Sequence, residues 1–307
     1  MTGPVVVGVD GSPESLAAAE WAGAEAELRG VPLSLVHGQG HVPHSPRYTG
    51  RHPASPEESL RAARERVGAS SPSVEVTEEA ASGAPPAVLL ETAREADMVV
   101  VGSRGLGALT GFVLGSVGLS VISHATGPVV VVHGDGAGNG AKDEEAPPAE
   151  ASPGNPARPE AASRSTAPVV TGVDLTHHYE DVLDFAFEAA ARRGVPLRVA
   201  HAWSVRALYD YPSALPDPRV VAERDAWAGR ALADALDPWR EKYPSVEVEE
   251  RTAAESAAPY LLETGEDAGL FVVGRQTRGH AHCTQVGPVT HAVLHHAHSP
   301  VAVIPHQ

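Results

Sequence analysis

The sequence predicts an α/β fold built on a parallel sheet, present twice in one chain. Three observations predict it. Short continuous apolar runs alternate with helix-length segments, the same landmarks recur at a steady offset, and a polar Pro-, Gly-, Ala- and Glu-rich stretch separates the two recurrences.

The recurrence fixes the domain plan. Val7-Gly8-Val9-Asp10 resembles Thr171-Gly172-Val173-Asp174, and Arg29-Gly30-Val31-Pro32-Leu33 returns as Arg193-Gly194-Val195-Pro196-Leu197, both at an offset of 164. Leu89-Leu90-Glu91-Thr92 returns as Leu261-Leu262-Glu263-Thr264 and Val100-Val101-Gly102 as Val272-Val273-Gly274, at an offset of 172. The second copy therefore carries eight extra residues between its second and third strands, a stretch that includes Trp203, Tyr209, Tyr211 and Pro212. The predicted domains are residues 1–133 and 168–307. Residues 134–167 have no Leu, Ile, Val or aromatic side chain with which to offset the entropy of ordering, and read as a flexible linker.

Within the first copy, Val5 to Val9 is an apolar run ended by Asp-Gly-Ser, as expected of a strand buried on both faces. Ser12 is an N-cap signal, Pro13 suits the first helical position, and Gly30 ends the helix after Arg29. Leu33 to Val36 reads as the second strand, and a helix over Pro56 to Val67 has Leu60, Ala63 and Val67 on one face. Strand Val74 to Val76, helix Ala84 to Glu95 and strand Met98 to Val101 follow. A glycine-rich loop then leads to helix Ser116 to His124 and a last strand, Val129 to Val132. Such alternation implies right-handed crossovers and a parallel sheet, with ligands at the carboxyl ends of its strands. That geometry selects Asp10, His37-Gly38 and the loop after Val101.

Composition narrows the function classes. The formal net charge is −16 with no basic cluster, which argues against nucleic acid as a partner. No stretch of membrane-spanning length is apolar, and the start of the chain meets Asp10 too early for a leader peptide. One cysteine, Cys283, permits no internal disulfide and fits a reducing compartment. The expected location is the cytoplasm.

The loop Val100-Val101-Gly102-Ser103-Arg104-Gly105 continues to Gly115-Ser116, where a helix begins. Glycines at 102 and 105 would let backbone approach a ligand, and free N–H groups at the helix start would suit a phosphate. Taken alone, the same residues serve equally as a turn and a helix cap. Gly-x2-Gly-x9-Gly-Ser after the fourth strand, joined to Asp10-Gly11-Ser12 after the first, resembles the ATP-binding motif of the universal stress protein family. The resemblance spans both copies. It implies two Rossmann-like domains of strand order 3-2-1-4-5, pairing through their last strands as a pseudo-dimer, with room for a further homodimer. It also implies ATP, with or without Mg2+, held by Asp10, Ser12 and the backbone near Gly38. Gly102, Arg104 and Gly105 would line the ribose and first phosphates, and Gly115, Ser116 and Val117 the outer ones. Gly118 departs from the family pattern, where Ser or Thr is common.

In the second copy Thr277 replaces Gly105 and Pro288 replaces Ser116, while Asp174 is kept and Thr176 replaces Ser12. Proline removes an N–H and the hydroxyl, so ATP binding is expected to be weak or absent there. His280, His282, Cys283, His291, His295, His296 and His298 crowd this region. No CxxC or HExxH spacing joins them, and His296 repeats His124, so no metal site is assigned. No nucleophile stands beside a base and no carboxylate pair is set for Mg2+, so the chain does not read as an enzyme and no catalytic residue is assigned. The two function classes left are an ATP-binding stress regulator and a structural or partner-docking protein that binds no nucleotide.

Overall fold

Backbone punctuation explains where the first helix lies. In the computed structural model, which describes residues 3–40, 55–105, 112–134, 166–203, 217–277 and 286–307, strand β1 (Val5–Gly8) leads into α1 (Pro13–Arg29). The Ser12 hydroxyl accepts the Ser15 N–H at the start, and Gly30 ends the helix at φ 64°, a left-handed geometry that costs glycine little. Gly194 closes the equivalent helix of the second copy at φ 63°.

The first copy continues with β2 (Leu33–Gly38), α2 (Pro56–Ser70), β3 (Val76–Ala81), α3 (Pro85–Thr92), β4 (Met98–Gly102), β5 (Arg104–Gly105), β6 (Phe112–Val113), α4 (Ser116–His124) and β7 (Val129–Val132). The second copy has β8 (Val169–Gly172), α5 (Glu180–Arg193), β9 (Leu197–Ala202), α6 (Pro218–Lys242), β10 (Val248–Ala253), α7 (Ala257–Thr264), β11 (Leu270–Gln276), α8 (Pro288–His296) and β12 (Val301–His306). Nearly all of the expected linker, and Tyr209, Tyr211, Pro212, His280, His282 and Cys283, lie outside the described residues.

Three expectations need correction. The third strand starts at Val76, not Val74, and runs to Ala81, because pairing with all six residues of β2 sets its register and its polar edge residues hid it. The helix expected over 84–95 is shorter, Pro85–Thr92. The glycine loop contains a two-residue ribbon, with Arg104 opposite Val113 and Gly105 opposite Phe112, in which extended segments satisfy each other's backbone groups. In the second copy extra length goes into α6, which has 25 residues against 15 in α2. Trp203 is buried and donates its indole N–H to Asp225 at 3.3 Å.

The strands form one ten-stranded sheet in the order β10-β9-β8-β11-β12-β7-β4-β1-β2-β3. Each half has the order 3-2-1-4-5 once the small ribbon is set aside. All pairs in this sheet are parallel except the central one, where β7 and β12 run antiparallel with Val131 opposite Val301 and Val129 opposite Val303. Alternate strand residues feed two apolar layers. One packs α1, α2, α5 and α6 and the other α3, α4, α7 and α8, and both layers draw residues from both copies.

Polar groups fasten the same seam. Glu25 of α1 is buried with Arg29 at 2.7 Å and is also paired with Arg193 of α5, so its charge is compensated from both copies. Arg275 of β11, 2% exposed, donates to the carbonyls of Ser123 and Ala125 at 3.3 and 2.5 Å, at the negative end of α4. In the opposite direction, His133 at the end of β7 reaches the Leu294 carbonyl of α8 at 3.4 Å.

Burial holds the His133 imidazole below its ordinary value of 6.5. The backbone at Leu294 and Ser299 works against this, while His298 and His295 add repulsion. An unfolded chain takes up this proton near 6.5 and the folded chain only at lower pH. The stability contributed is therefore complete above about 6.5 and falls as the pH drops below it. Thermal denaturation between pH 7.5 and 5 should show a smaller loss of stability on acidification in His133→Gln than in the parent; parallel slopes would refute this.

Candidate functional site

The first candidate residues converge because β1 lies between β2 and β4, all three parallel, so their carboxyl ends open on one side. This is where the strand order reverses direction. Immediately past β1, the Ser12 N–H and hydroxyl both donate to Asp10 Oδ1, at 3.0 and 2.6 Å. Asp10 is thereby fixed at the start of α1, its own N–H meeting the Ser15 hydroxyl at 3.3 Å. Gly38 ends β2 and Gly102 ends β4 on the same side. The β5–β6 ribbon, whose backbone includes Arg104 and Gly105, connects Gly102 to the start of α4. There Gly115 is the N-cap at φ −64° and ψ 160°, with no side-chain cap, and Ser116 and Val117 begin the helix. The first N–H groups of a helix have no partner within it, and they carry the positive end of its dipole.

The structure changes the reason for two of the glycines. A Cβ at Gly102 would lie 2.7 Å from the backbone carbonyl of Glu14, and one at Gly38 would lie 2.7 Å from Pro85 Cα. Close packing of β4 on α1, and of β2 on α3, demands glycine at both positions before any ligand is considered. Gly102 is not among the described glycines with positive φ. At Gly118 a Cβ would meet Leu114 Cδ1 at 2.8 Å, so Leu114 takes up the space that a side chain at this position would need.

Strand geometry selected His37 and the loop holding Ser103, but gave neither side chain a role; the Ser103 hydroxyl and the His37 Nδ1 are both buried without a hydrogen-bond partner. In the second copy the matching His201 Nδ1 meets the Val173 carbonyl at 3.0 Å. The only signal was their position, at the carboxyl ends of two central strands.

The second copy repeats the first turn closely. The Thr176 N–H and hydroxyl donate to Asp174 Oδ1 at 3.0 and 2.6 Å, and His177 adds a contact to Oδ2 at 2.9 Å. Its helix start also repeats, with Gly287 as N-cap at φ −62° and ψ 160°, but Pro288 takes the first position. A cleft of about 250 Å³ opens between these two features. Among the described residues no group of three His, Cys, Asp or Glu side chains is placed to hold a metal ion, and no helix is long and apolar enough to cross a membrane.

Comparison with known proteins agrees with this architecture. The sequence profile described as the universal stress protein family matches residues 1–133 and 166–305. A universal stress protein of Mycolicibacterium smegmatis is 34% identical over 312 residues, 98% of this chain and 96% of its own. A crystal structure of a universal stress protein from Archaeoglobus fulgidus covers 99% of each chain at a TM-score of 0.63 and 15% identity, a likeness of fold. A universal stress protein solved in complex with cAMP is 32% identical over 44% of this chain and 100% of its own, with a TM-score of 0.34.

Proposed function

The chain belongs to the universal stress protein family, and on that premise we propose that it is a stress-response regulator whose first copy binds ATP. The observation that carries this reading is the open start of α4. Gly115, Ser116 and Val117 offer N–H groups and a hydroxyl there, beside the Asp10–Ser12 turn and the ends of β2 and β4. A helix start is a ready site for phosphate, and a carboxylate fixed by its own turn is a ready acceptor for ribose hydroxyls or an amine. In this reading Asp10, Ser12 and the Gly38 backbone take the nucleoside end, Gly102, Arg104 and Gly105 line the ribose and first phosphates, and Gly115, Ser116 and Val117 hold the outer ones, with or without Mg2+. The site has no role in chemistry, and any hydrolysis is incidental. The single cysteine fits action in the cytoplasm.

A structural or docking role without nucleotide is the second reading. It draws support from Gly38 and Gly102, whose missing side chains packing alone requires. Acid denaturation of the purified chain followed by nucleotide chromatography separates the two. The expected result is released adenine nucleotide, and calorimetry on stripped protein should then give one ATP per chain. No bound nucleotide and no heat with ATP would select the structural reading, and two equivalent sites would overturn the assignment to the first copy.

A further inference from the structure

The second copy has kept one end of a ligand site and rebuilt the other. At the kept end Asp174 sits in the same turn as Asp10, with the same two donor distances. Burial acts to raise its pKa, but hydrogen bonds from Thr176 and the adjoining His177 outweigh that and hold the carboxyl below the usual range, charged at neutral pH.

At the other end most of the side chains and one of the N–H groups that would receive a phosphate are gone or committed, although the N–H groups of Gly287 and Val289 remain at the helix start. Pro288 has no N–H at the first helical position. The Thr290 hydroxyl, at the position of Gly118, donates to the Gly274 carbonyl at 2.7 Å. The Thr277 N–H and hydroxyl both donate to the His306 carbonyl, at 2.7 and 2.8 Å. These bonds lengthen the β11–β12 pairing to Gln276 and His306, whereas β4 and β7 stop at Gly102 and Val132. The longer strand brings the His306 ring onto Gly274, where an added Cβ would be 2.6 Å from Nε2. In the first copy the matching Gly102 faces helix backbone instead.

Between the two ends lies the cleft of about 250 Å³, with apolar walls from Val173, Leu261 and Val289 and a phenol from Tyr260. That is smaller than the roughly 300–1,000 Å³ of pockets for drug-sized ligands. Among the described residues no Lys or Arg lines it. Its basic groups among the described residues are His177, already engaged with Asp174 at 2.9 Å, His178 and His306. An anion would have to approach the Asp174 carboxylate, while a neutral ring would be held by apolar walls and would give its donors to that carboxylate.

We propose that this cleft binds an unphosphorylated ring compound of nucleoside size, bearing N–H or O–H donors, and excludes its phosphorylated forms. The proposal stands whether or not the first copy takes ATP. Calorimetry on the full chain in saturating ATP tests it, with adenosine, guanosine, cytidine and uridine as probes and the monophosphate of the best one for comparison. At least one nucleoside should bind once per chain, and its monophosphate at least tenfold more weakly. Asp174→Asn, at an exposed side chain, should weaken nucleoside binding at least tenfold, whereas Glu91→Gln, at an exposed side chain outside both sites, should leave it unchanged. Ala257→Trp, at the exposed mouth of the cleft, should abolish it without lowering the melting temperature. Failure of all four nucleosides, equal binding of the monophosphate, or unchanged nucleoside binding in Asp174→Asn would each overturn the proposal. If ATP itself shows no binding, the reading of the first copy fails, and the Asp174 dependence still decides this one.

Discussion

Val131→Asp is expected to open the ten-stranded sheet at its centre and drive the protein into aggregates. Val131 is fully buried, flanked by Val101 on β4 and Val301 on β12. Aspartate there would put a charge into an apolar layer, among Val99, Val101, Val129, Val301 and Val303. Such burial costs more than about 3 kcal/mol, a large share of the roughly 5–15 kcal/mol that holds a typical fold. The central pair is also the one contact in the sheet between the two copies, with three residues matched on each side. Parting it would expose Val129 to Val132 and Val301 to Ile304 as apolar edges, templates for pairing with other chains. Light scattering after gel filtration should show higher oligomers or loss of soluble protein. A monodisperse Val131→Asp chain with the parent melting temperature would refute the role given to this seam.

Elements whose boundaries are written in local chemistry were legible in the sequence, and those set by partners were not. Helix α1 lies between Ser12-Pro13 and Gly30 as its caps dictate, and the four valines of β7 read as a buried strand without help. β3 was misplaced because half of its residues are polar and exposed at the sheet edge, so pairing with β2, not an apolar run, decides where it begins. The antiparallel meeting of β7 and β12 followed from the family resemblance, since an apolar edge strand shows a need for cover but not what covers it. At the candidate site, the carboxyl-end positions of Asp10, Gly38 and Gly102 follow from strand alternation. The packing that requires glycine at 38 and 102 does not, because it depends on which helix presses on which strand. Arg275 carried no signal, since its partners are carbonyls of the other copy. The placing of His306 over Gly274 was equally hidden, because it follows from the pairing length of two strands about thirty residues apart.

Ser116→Pro is expected to lower the affinity of the first copy for ATP at least tenfold while leaving the fold intact. The substitution writes the second copy's residue into the first, and the backbone is already suited to it. Gly115 and Gly287 share the same cap geometry, −64° and 160° against −62° and 160°, and each precedes a helix of nine residues. Proline is well placed at a first helical position, where its fixed φ helps the helix start, so stability should hold or rise slightly. Two donors disappear together, the Ser116 N–H and its hydroxyl. If both face a phosphate, the loss should reach at least 1.4 kcal/mol, the equivalent of about tenfold in dissociation constant. Calorimetric titration with ATP, AMP and adenosine locates the loss along the ligand. The decrease should be large for ATP and small for adenosine, because only the phosphate end is altered. An equal decrease for all three would point to a general disturbance of the domain. Unchanged ATP affinity with an unchanged melting temperature would mean that the start of α4 merely caps a helix, and the binding assignment would have to be abandoned.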